Sequence, residues 1–269
     1  MAKLASTVPE IWGKTALVTG ATGGLGHEIA RALAGQGCKV MVHGLGEPHV
    51  AENLAREMTE LSGSTAAWHG ADLTRTGEIR ALVQETEATL GPVDILVNNA
   101  VTRNFHMLED MPDEAWDRAV AVNLTAPFHL VRATLPGMRR RRWGRIINIT
   151  SNWGLTGTTG RSDYVATKHG LVGLTKAIAL EALADGVTCN AIAPGSVYTP
   201  HAERQVRERM SRDNQDWDTA AAAFFKTRQP SNRFVPPEKV AALIVFLCSD
   251  AASEMTGQPI AMDGGWLSM

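Results

Sequence analysis

The chain has 269 residues, 44% hydrophobic and 20% charged, which suits one folded α/β domain with a large core. Its formal net charge of −2 at pH 7 gives no electrostatic basis for a nucleic-acid partner. Three scattered cysteines, with no basic-then-apolar leader and no apolar run of about 20 residues, predict a cytoplasmic protein without disulfides, metal site or membrane span.

A strand predicted at residues 16–19 opens the chain, and a glycine-rich turn and a helix follow it directly. The turn contains Gly20, Gly24 and Gly26, and the helix continues from His27 with apolar residues at helical spacing. Gly20 permits the tight turn, Gly24 lets the backbone approach a pyrophosphate, and Gly26 lets helix and strand pack closely. The free N–H groups at the positive end of the helix then face the phosphates. The pattern predicts a dinucleotide site.

Beyond this unit, apolar runs of strand length alternate with helical patterns. The further predicted strands are residues 39–42, 65–68, 95–97, 145–150, 188–192 and 259–262. The further predicted helices are residues 48–62, 76–90, 113–138, 162–184 and 237–249. Such alternation predicts a doubly wound parallel sheet with helices on both faces.

The end of the second strand bears on the choice between NAD and NADP. Enzymes that bind nicotinamide cofactors often have an acid there for the ribose hydroxyls, or an arginine for a 2′-phosphate. This chain has His43, Gly44, Leu45 and Gly46 instead, and His43 would attract a phosphate only if it were protonated. For a nicotinamide dinucleotide, this strand end therefore predicts NAD rather than NADP.

Tyr164 and Lys168, with Ser151 upstream, form the clearest catalytic pattern. Residues four apart on a helix leave the same face, so the phenol and the ammonium are neighbours. A free phenol titrates near pH ~10, and a nearby positive charge lowers that pKa toward the working range. The arrangement predicts general acid–base chemistry on an oxygen that all three side chains reach.

The connection at residues 199–235 interrupts the alternation of strands and helices. It is polar, rich in Arg and Glu, and lies between the sixth strand and the next helix. So long a connection in a compact domain is usually functional.

Taken together, these motifs resemble those of the classical short-chain dehydrogenase/reductase family from about Gly13 to Trp266. The motifs that carry the resemblance are Thr19-Gly20-x-x-x-Gly24-x-Gly26, Asn98-Asn99-Ala100, Asn123, Ser151, Tyr164-x-x-x-Lys168 and Pro194-Gly195. The resemblance implies a single Rossmann-type domain over residues 1–269, strand order 3-2-1-4-5-6-7, and a substrate lid at about residues 199–236. It also implies a nicotinamide cofactor and hydride transfer between a secondary alcohol and a ketone.

The same resemblance assigns the catalytic roles. Ser151 donates to the carbonyl or alkoxide oxygen, Tyr164 exchanges the proton, and Lys168 holds the nicotinamide ribose and lowers the tyrosine pKa. Asn123 is the fourth catalytic member, which shapes its helix and a water path to Lys168. The cofactor-binding residues it implies are Gly20, Gly24, Leu25, Gly26, Leu45, Asp72, Leu73, Asn99, Ala100, Tyr164, Lys168, Pro194, Gly195, Val197 and Thr199.

One position departs from the family pattern. The family usually has glycine after Asn-Asn-Ala, where this chain has Val101. The resemblance places its side chain beside the path of the nicotinamide ribose.

Within the family, the segments at residues 43–46, 226–235 and 263–266 are most similar to those of soluble bacterial 3-hydroxybutyrate dehydrogenases. Those enzymes hold a small carboxylate with Gln, His, Lys and Gln, in addition to the catalytic Ser151 and Tyr164 positions. The four matching residues are Arg103, Trp153, Arg161 and Gln205, of which only Gln205 is unchanged. Two arginines indicate an anion, whether the same acid or a different or more highly charged one.

Three functions remain open from the sequence. The first is an NAD-dependent dehydrogenase of a small anionic hydroxy acid. The second is a dehydrogenase or carbonyl reductase for a neutral sugar, polyol or cyclic ketone, and the third is a non-catalytic dinucleotide-binding regulator. The resemblance also implies a homotetramer in which helices 113–138 and 162–184 pair across two-fold axes. The apolar residues predicted to favour that pairing are Val122, Leu130, Leu171, Leu174 and Ile178.

Overall fold

A sheet of seven parallel strands, in the order β3-β2-β1-β4-β5-β6-β7, organises the computed structural model, which describes residues 10–226 and 229–269. The predicted fold class and strand order are confirmed. The central strands are buried on both faces, so their sequences are nearly continuous apolar runs. The strands are β1 (Thr15–Val18), β2 (Lys39–His43), β3 (Ala66–His69), β4 (Val93–Asn98), β5 (Gly144–Ile149), β6 (Val187–Pro194) and β7 (Pro259–Met262).

Helices cover both faces of this sheet. The α-helices are α1 (Gly24–Gly35), α2 (Pro48–Ser62), α3 (Thr76–Leu90), α4 (Asp113–Val120), α5 (Ala126–Arg141), α6 (Ser162–Ala182), α7 (Pro200–Asp213), α8 (Trp217–Phe225) and α9 (Pro237–Cys248). Alternate residues of one strand enter different cores: Val18 packs with α1 and α9, whereas Leu17 packs with α3, α5 and α6. None of the helices in the described ranges is both long and apolar enough to cross a membrane.

The helix predicted at residues 113–138 is not continuous. A π-helical turn, Ala121–Thr125, separates α4 from α5, and α5 extends to Arg141. Pro127 has no N–H to donate to the carbonyl of Asn123, four residues earlier, so the α-helical pattern breaks at this point. The break surrounds Asn123, a predicted catalytic residue.

The apolar residues predicted to drive helix pairing between subunits are mostly core residues of one chain. Val122, Leu130, Leu171 and Ile178 are each at most 9% exposed, and Leu174 is partly buried. The sheet and the neighbouring helices already cover them, so this part of the prediction was wrong. The large apolar side chains that are exposed in residues 113–138 and 162–184 are instead Trp116, Phe128, Leu180 and Leu183.

The described part of the predicted lid, residues 199–226 and 229–235, forms a small helical unit above the carboxyl edge of the sheet. The Thr199 hydroxyl accepts the N–H of Ala202 at 3.2 Å and caps α7, and Asp216 caps α8. Val206 and Phe225 are buried in an apolar cluster that belongs to this unit. The segment is therefore packed on itself, and its helical structure places several side chains over the site below.

Candidate active site

A cavity of about 530 Å³ opens at the carboxyl ends of the central strands, the edge where ligands bind in open parallel sheets. Most of the predicted site residues line it. They are Gly20, Gly24, Leu25, Gly26, Asn99, Ala100, Arg103, Ser151, Trp153, Arg161, Tyr164, Lys168, Pro194, Gly195, Val197, Thr199 and Gln205. Val101, the departure from the family pattern, also faces this cavity. Leu45, Asp72, Leu73 and Asn123 lie outside its lining.

The glycine turn fits a dinucleotide. Gly20 has φ +64°, and a Cβ added at this glycine would lie only 2.8 Å from the Cα of Ala100. Gly26 packs against the Gly20 carbonyl, where a Cβ would approach within 2.0 Å. No side chain caps α1, because Gly23 occupies the N-cap position. The first N–H groups of α1 therefore face the cavity and are suited to a pyrophosphate.

His43 organises this turn rather than meeting a phosphate. Its side chain is buried, the Gly20 N–H donates to Nδ1 at 3.3 Å, and Nε2 donates to the Ala71 carbonyl at 3.0 Å. Burial lowers the pKa of His43 to about 4, so the ring is neutral at physiological pH. A neutral, fully engaged imidazole provides no positive charge for a 2′-phosphate. The sequence did not reveal that this residue supports the glycine turn.

Asp72 and Leu73, which the resemblance assigns to the part of the cofactor that carries the adenine, do not line the cavity. The Asp72 carboxylate accepts hydrogen bonds from the N–H and the hydroxyl of Thr74, at 3.0 and 2.9 Å. These two bonds stabilise a local turn. Leu73 belongs to the core around α3, and Leu45 is 56% exposed.

The catalytic pair lies on the first turns of α6, as predicted. Tyr164 and Lys168 are buried, with the Lys168 ammonium 5.6 Å from the centre of the tyrosine ring. The ammonium also donates to the Ile149 carbonyl at 2.7 Å, at the end of β5. Ser151 follows β5 directly and is within hydrogen-bonding reach of the Tyr164 hydroxyl.

Arg103 is a second positive charge beside Tyr164. Its guanidinium lies 5.9 Å from the centre of the tyrosine ring. Burial raises the pKa of Tyr164, but the charges of Arg103 and Lys168 and the hydrogen bonds from Arg103 and Ser151 together outweigh burial, and the pKa falls below its usual 10.0. The effect of Arg103 is larger than that of Lys168. Burial also lowers the pKa of Lys168, which the Tyr164 phenolate partly offsets.

Asn123 supports the loop that carries Arg103. The Thr102 N–H donates to the Asn123 Oδ1 at 2.9 Å, and the Asn123 Nδ2 donates to the Thr102 carbonyl at 3.1 Å. The same Nδ2 lies 3.3 Å from the Thr167 hydroxyl on α6. Asn123 thus links the loop after β4 with the catalytic helix α6. This link holds Arg103, the residue after Thr102, near Tyr164.

A second set of contacts brings Arg103 and Arg161 to the same mouth. The His106 N–H donates to the Gly160 carbonyl at 3.1 Å, and Asn104 donates to Asp163 at 2.8 Å. The loop after β4 is therefore joined to the start of α6 at two points. The guanidinium carbon of Arg161 lies over the Trp153 ring, 5.1 Å from the ring centre.

Several residues that the sequence analysis did not assign to the site also line the cavity, and His201, Arg204 and Trp266 are among them. His201 and Arg204 lie on α7, and Trp266 packs edge-on against Trp153 with their ring centres 5.8 Å apart. His201 contacts Gln205, with 3.2 Å between their Nε2 atoms. Positions 201, 204 and 205 share one face of a helix, and recognition of α7 in the polar segment would have grouped them.

The site defines a dehydrogenase or reductase that exchanges a CH–OH group for a carbonyl. A family model of short-chain dehydrogenases matches residues 14–210, and the chain belongs to this family, whose members bind a nicotinamide cofactor. Within the described residues, no cluster of His, Cys, Asp or Glu is arranged to hold a metal ion.

Among its relatives, the chain is 44% identical to the D-beta-hydroxybutyrate dehydrogenase of Cupriavidus necator, over 95% of this chain and 98% of the relative. It is 41% identical to the enzyme of the same name from Rhizobium meliloti, over 94% and 98%. It is also similar to the crystal structure of L-sorbose reductase from Gluconobacter frateurii in complex with NADPH and L-sorbose. That similarity has a TM-score of 0.92 at 29% identity, covering 98% of this chain and 100% of the reductase.

Proposed function

We propose that the protein is an NAD-dependent dehydrogenase that interconverts a small anionic hydroxy acid and its keto acid. The observation that carries this proposal is the position of Arg103, a guanidinium beside the Tyr164 ring in the same cavity as Arg161. A guanidinium binds a carboxylate through two parallel hydrogen bonds, which orient the acid as well as attract it. The similarity to enzymes named for a hydroxy acid supports the same assignment.

The chemistry follows from the charges around the reacting oxygen. In oxidation the Tyr164 phenolate accepts the hydroxyl proton of the substrate, and in reduction the phenol returns it. Ser151 donates a hydrogen bond to the oxygen on which negative charge develops, and Lys168 with Arg103 stabilises the phenolate. The bound nicotinamide supplies or accepts the hydride. We assign its pyrophosphate to the glycine turn and the first turn of α1, and its ribose to Lys168. Asn123 holds the loop of Arg103, and residues 199–236 act as the substrate lid.

The first prediction concerns the substrate class. Oxidation of hydroxy acids with NAD⁺ should exceed oxidation of polyols and sugars, because Arg103 and Arg161 orient a carboxylate. A panel of both classes, followed through the absorbance of the reduced cofactor, measures this directly. Turnover of any alcohol would end the regulator alternative.

One observation favours a second candidate. The high structural similarity to L-sorbose reductase supports a neutral sugar, polyol or cyclic ketone as the alternative substrate. Efficient turnover of a sugar or polyol, with hydroxy acids inactive, would replace the anionic substrate with this one.

The second prediction concerns the cofactor. NAD should bind more tightly than NADP, because His43 is neutral and buried and no arginine follows β2. Calorimetric titration of the protein with each dinucleotide gives the two dissociation constants. Tighter binding of NADP, the cofactor in the L-sorbose reductase complex, would mean that another cation meets the 2′-phosphate.

The third prediction concerns assembly. We propose a cytoplasmic homotetramer in which α4, α5 and α6 pair across two-fold axes. Phe128 and Leu180 are 43% and 79% exposed on α5 and α6, and association would bury both. Multi-angle light scattering at micromolar concentration should give about four times the 28.9 kDa chain mass. A stable 28.9 kDa species would contradict the proposal.

A further inference from the structure

Asp163 is a buried acid beside the catalytic tyrosine. It directly precedes Tyr164 in the first turn of α6, is 0% exposed and does not line the cavity. A buried carboxyl group costs free energy unless hydrogen bonds compensate for the lost water. Its Oδ2 accepts a hydrogen bond from the Asn104 side chain at 2.8 Å, whereas its Oδ1 accepts none within the described part of the chain. Stability alone therefore does not explain an acid at this position.

The Asn104 side chain fastens its loop to two helices. An asparagine amide nitrogen carries two hydrogens, and both are donated here. One goes to Asp163 on α6, and the other goes to the Ala115 carbonyl on α4 at 3.1 Å. The loop after β4 is thereby tied to the catalytic helix at the residue next to Tyr164.

Arg103 lies between two anchored residues of this loop. On one side, the Thr102 N–H donates to the Asn123 Oδ1 at 2.9 Å, and the Asn123 Nδ2 donates to the Thr102 carbonyl at 3.1 Å. On the other side, Asn104 is held by the two helices. The Arg103 guanidinium is 5.9 Å from the centre of the Tyr164 ring and donates a hydrogen bond to the phenol oxygen. Because both neighbours of Arg103 are fixed, its long side chain starts from a fixed point.

We propose that Asp163 is a positioning residue, which holds Arg103 beside Tyr164 through the side chain of Asn104. Asp163 lies outside the cavity lining, so it acts on the proton transfer only through this link. The role is the same for an acid and for a neutral alcohol as the substrate, and it therefore goes beyond the proposed function.

The charge of Asp163 would have the opposite effect if it acted on Tyr164 directly. The groups that act on the Tyr164 hydroxyl are Arg103, Lys168 and Ser151, and all three lower the tyrosine pKa. A carboxylate close to the phenol would raise that pKa, because a like charge disfavours the phenolate. Loss of a directly acting Asp163 would lower the pKa, whereas displacement of Arg103 from the phenol raises it.

The chain allows Tyr164 to be titrated without a substrate. Tyr198 is its only other tyrosine, so in a Tyr198→Phe background the ultraviolet absorbance of the phenolate reports Tyr164 alone. In this background, Asp163→Ala should move the titration to higher pH, in the direction of Arg103→Ala and no further. Asp163→Asn removes the same charge but keeps an oxygen that accepts from Asn104, so its titration should stay close to that of the Tyr198→Phe parent.

Asp113→Ala is the matched control, because Asp113 is an exposed acid in the first turn of α4 and does not line the cavity. Its titration should equal that of the parent. Asn104→Ala breaks the same link from the side of the loop, and it should shift the titration as Asp163→Ala does. When Arg103→Ala is already present, Asp163→Ala should cause no further rise, because the group that it positions is absent. Circular dichroism at each pH shows that the variants titrate as folded proteins.

The inference is overturned by a titration that is unchanged in Asp163→Ala or in Arg103→Ala, or that moves to lower pH in Asp163→Ala. An equal shift in Asp163→Asn also overturns it, because the hydrogen bond would then not be the link. A full additional shift in the presence of Arg103→Ala does so as well, because Asp163 would then act without Arg103. None of these results bears on which alcohol is oxidised, and the proposed function fails instead if hydroxy acids are not turned over.

Discussion

The Tyr164→Phe variant is expected to lose at least about 100-fold in kcat, since a positioned acid–base group contributes roughly 10²–10⁴-fold. The substitution removes only the hydroxyl, and the ring remains packed edge-on against Trp153 with 6.2 Å between ring centres. The fold and the affinity for the dinucleotide should therefore change little. Steady-state kinetics in both directions, with a calorimetric titration of NAD, measure the two quantities.

The chain provides its own control, because Tyr198 is its only other tyrosine. Tyr198 is 42% exposed and packs against Phe234, and it does not line the cavity. Tyr198→Phe should retain kcat within a few-fold of the unmodified enzyme. Near-normal turnover of Tyr164→Phe would rule out Tyr164 as the proton donor and acceptor.

The periodicity of the sequence predicted the alternation of strands and helices, and the family resemblance implied the strand order that the sheet has. β7, α2 and α3 begin and end at the predicted residues, because Gly or Pro flanks them and their apolar residues keep a regular spacing. The break at Ala121–Thr125 was not predicted, since it depends on Pro127 and on contacts of Asn123 with a loop distant in sequence. Local patterns do not encode such contacts.

The site was predictable where residues follow strand ends or share a helix face. Ser151, Tyr164 and Lys168 meet as expected because β5 and the start of α6 are adjacent in the sheet architecture. The electrostatic link between Arg103 and Tyr164 was not predicted, because the folding of one loop onto another brings these two side chains together. The burial of His43, which decides its charge, also depends on tertiary packing.

The Arg103→Ala variant is expected to lose about 10- to 150-fold in kcat/KM for its acid substrate. Alanine lacks the charge and the planar fork, and a charge-assisted hydrogen bond is worth about 1.5–3 kcal/mol. A displaced carboxylate also moves the carbinol carbon away from its reactive position, which lowers the rate further. Initial rates over a range of acid concentrations give kcat/KM, and unchanged efficiency would remove Arg103 from substrate binding.

The same variant should shift the pH profile. Oxidation requires the Tyr164 phenolate, so its rate rises with pH through the pKa of this group. Arg103 lowers that pKa, and its removal raises the pKa, which moves the rising limb of kcat/KM to higher pH. Arg103→Lys keeps the charge without the fork, so it should leave the limb close to its original position while efficiency still falls. A rising limb that is unchanged in Arg103→Ala would mean that Arg103 does not lower the pKa of Tyr164, and would confine Arg103 to binding the acid.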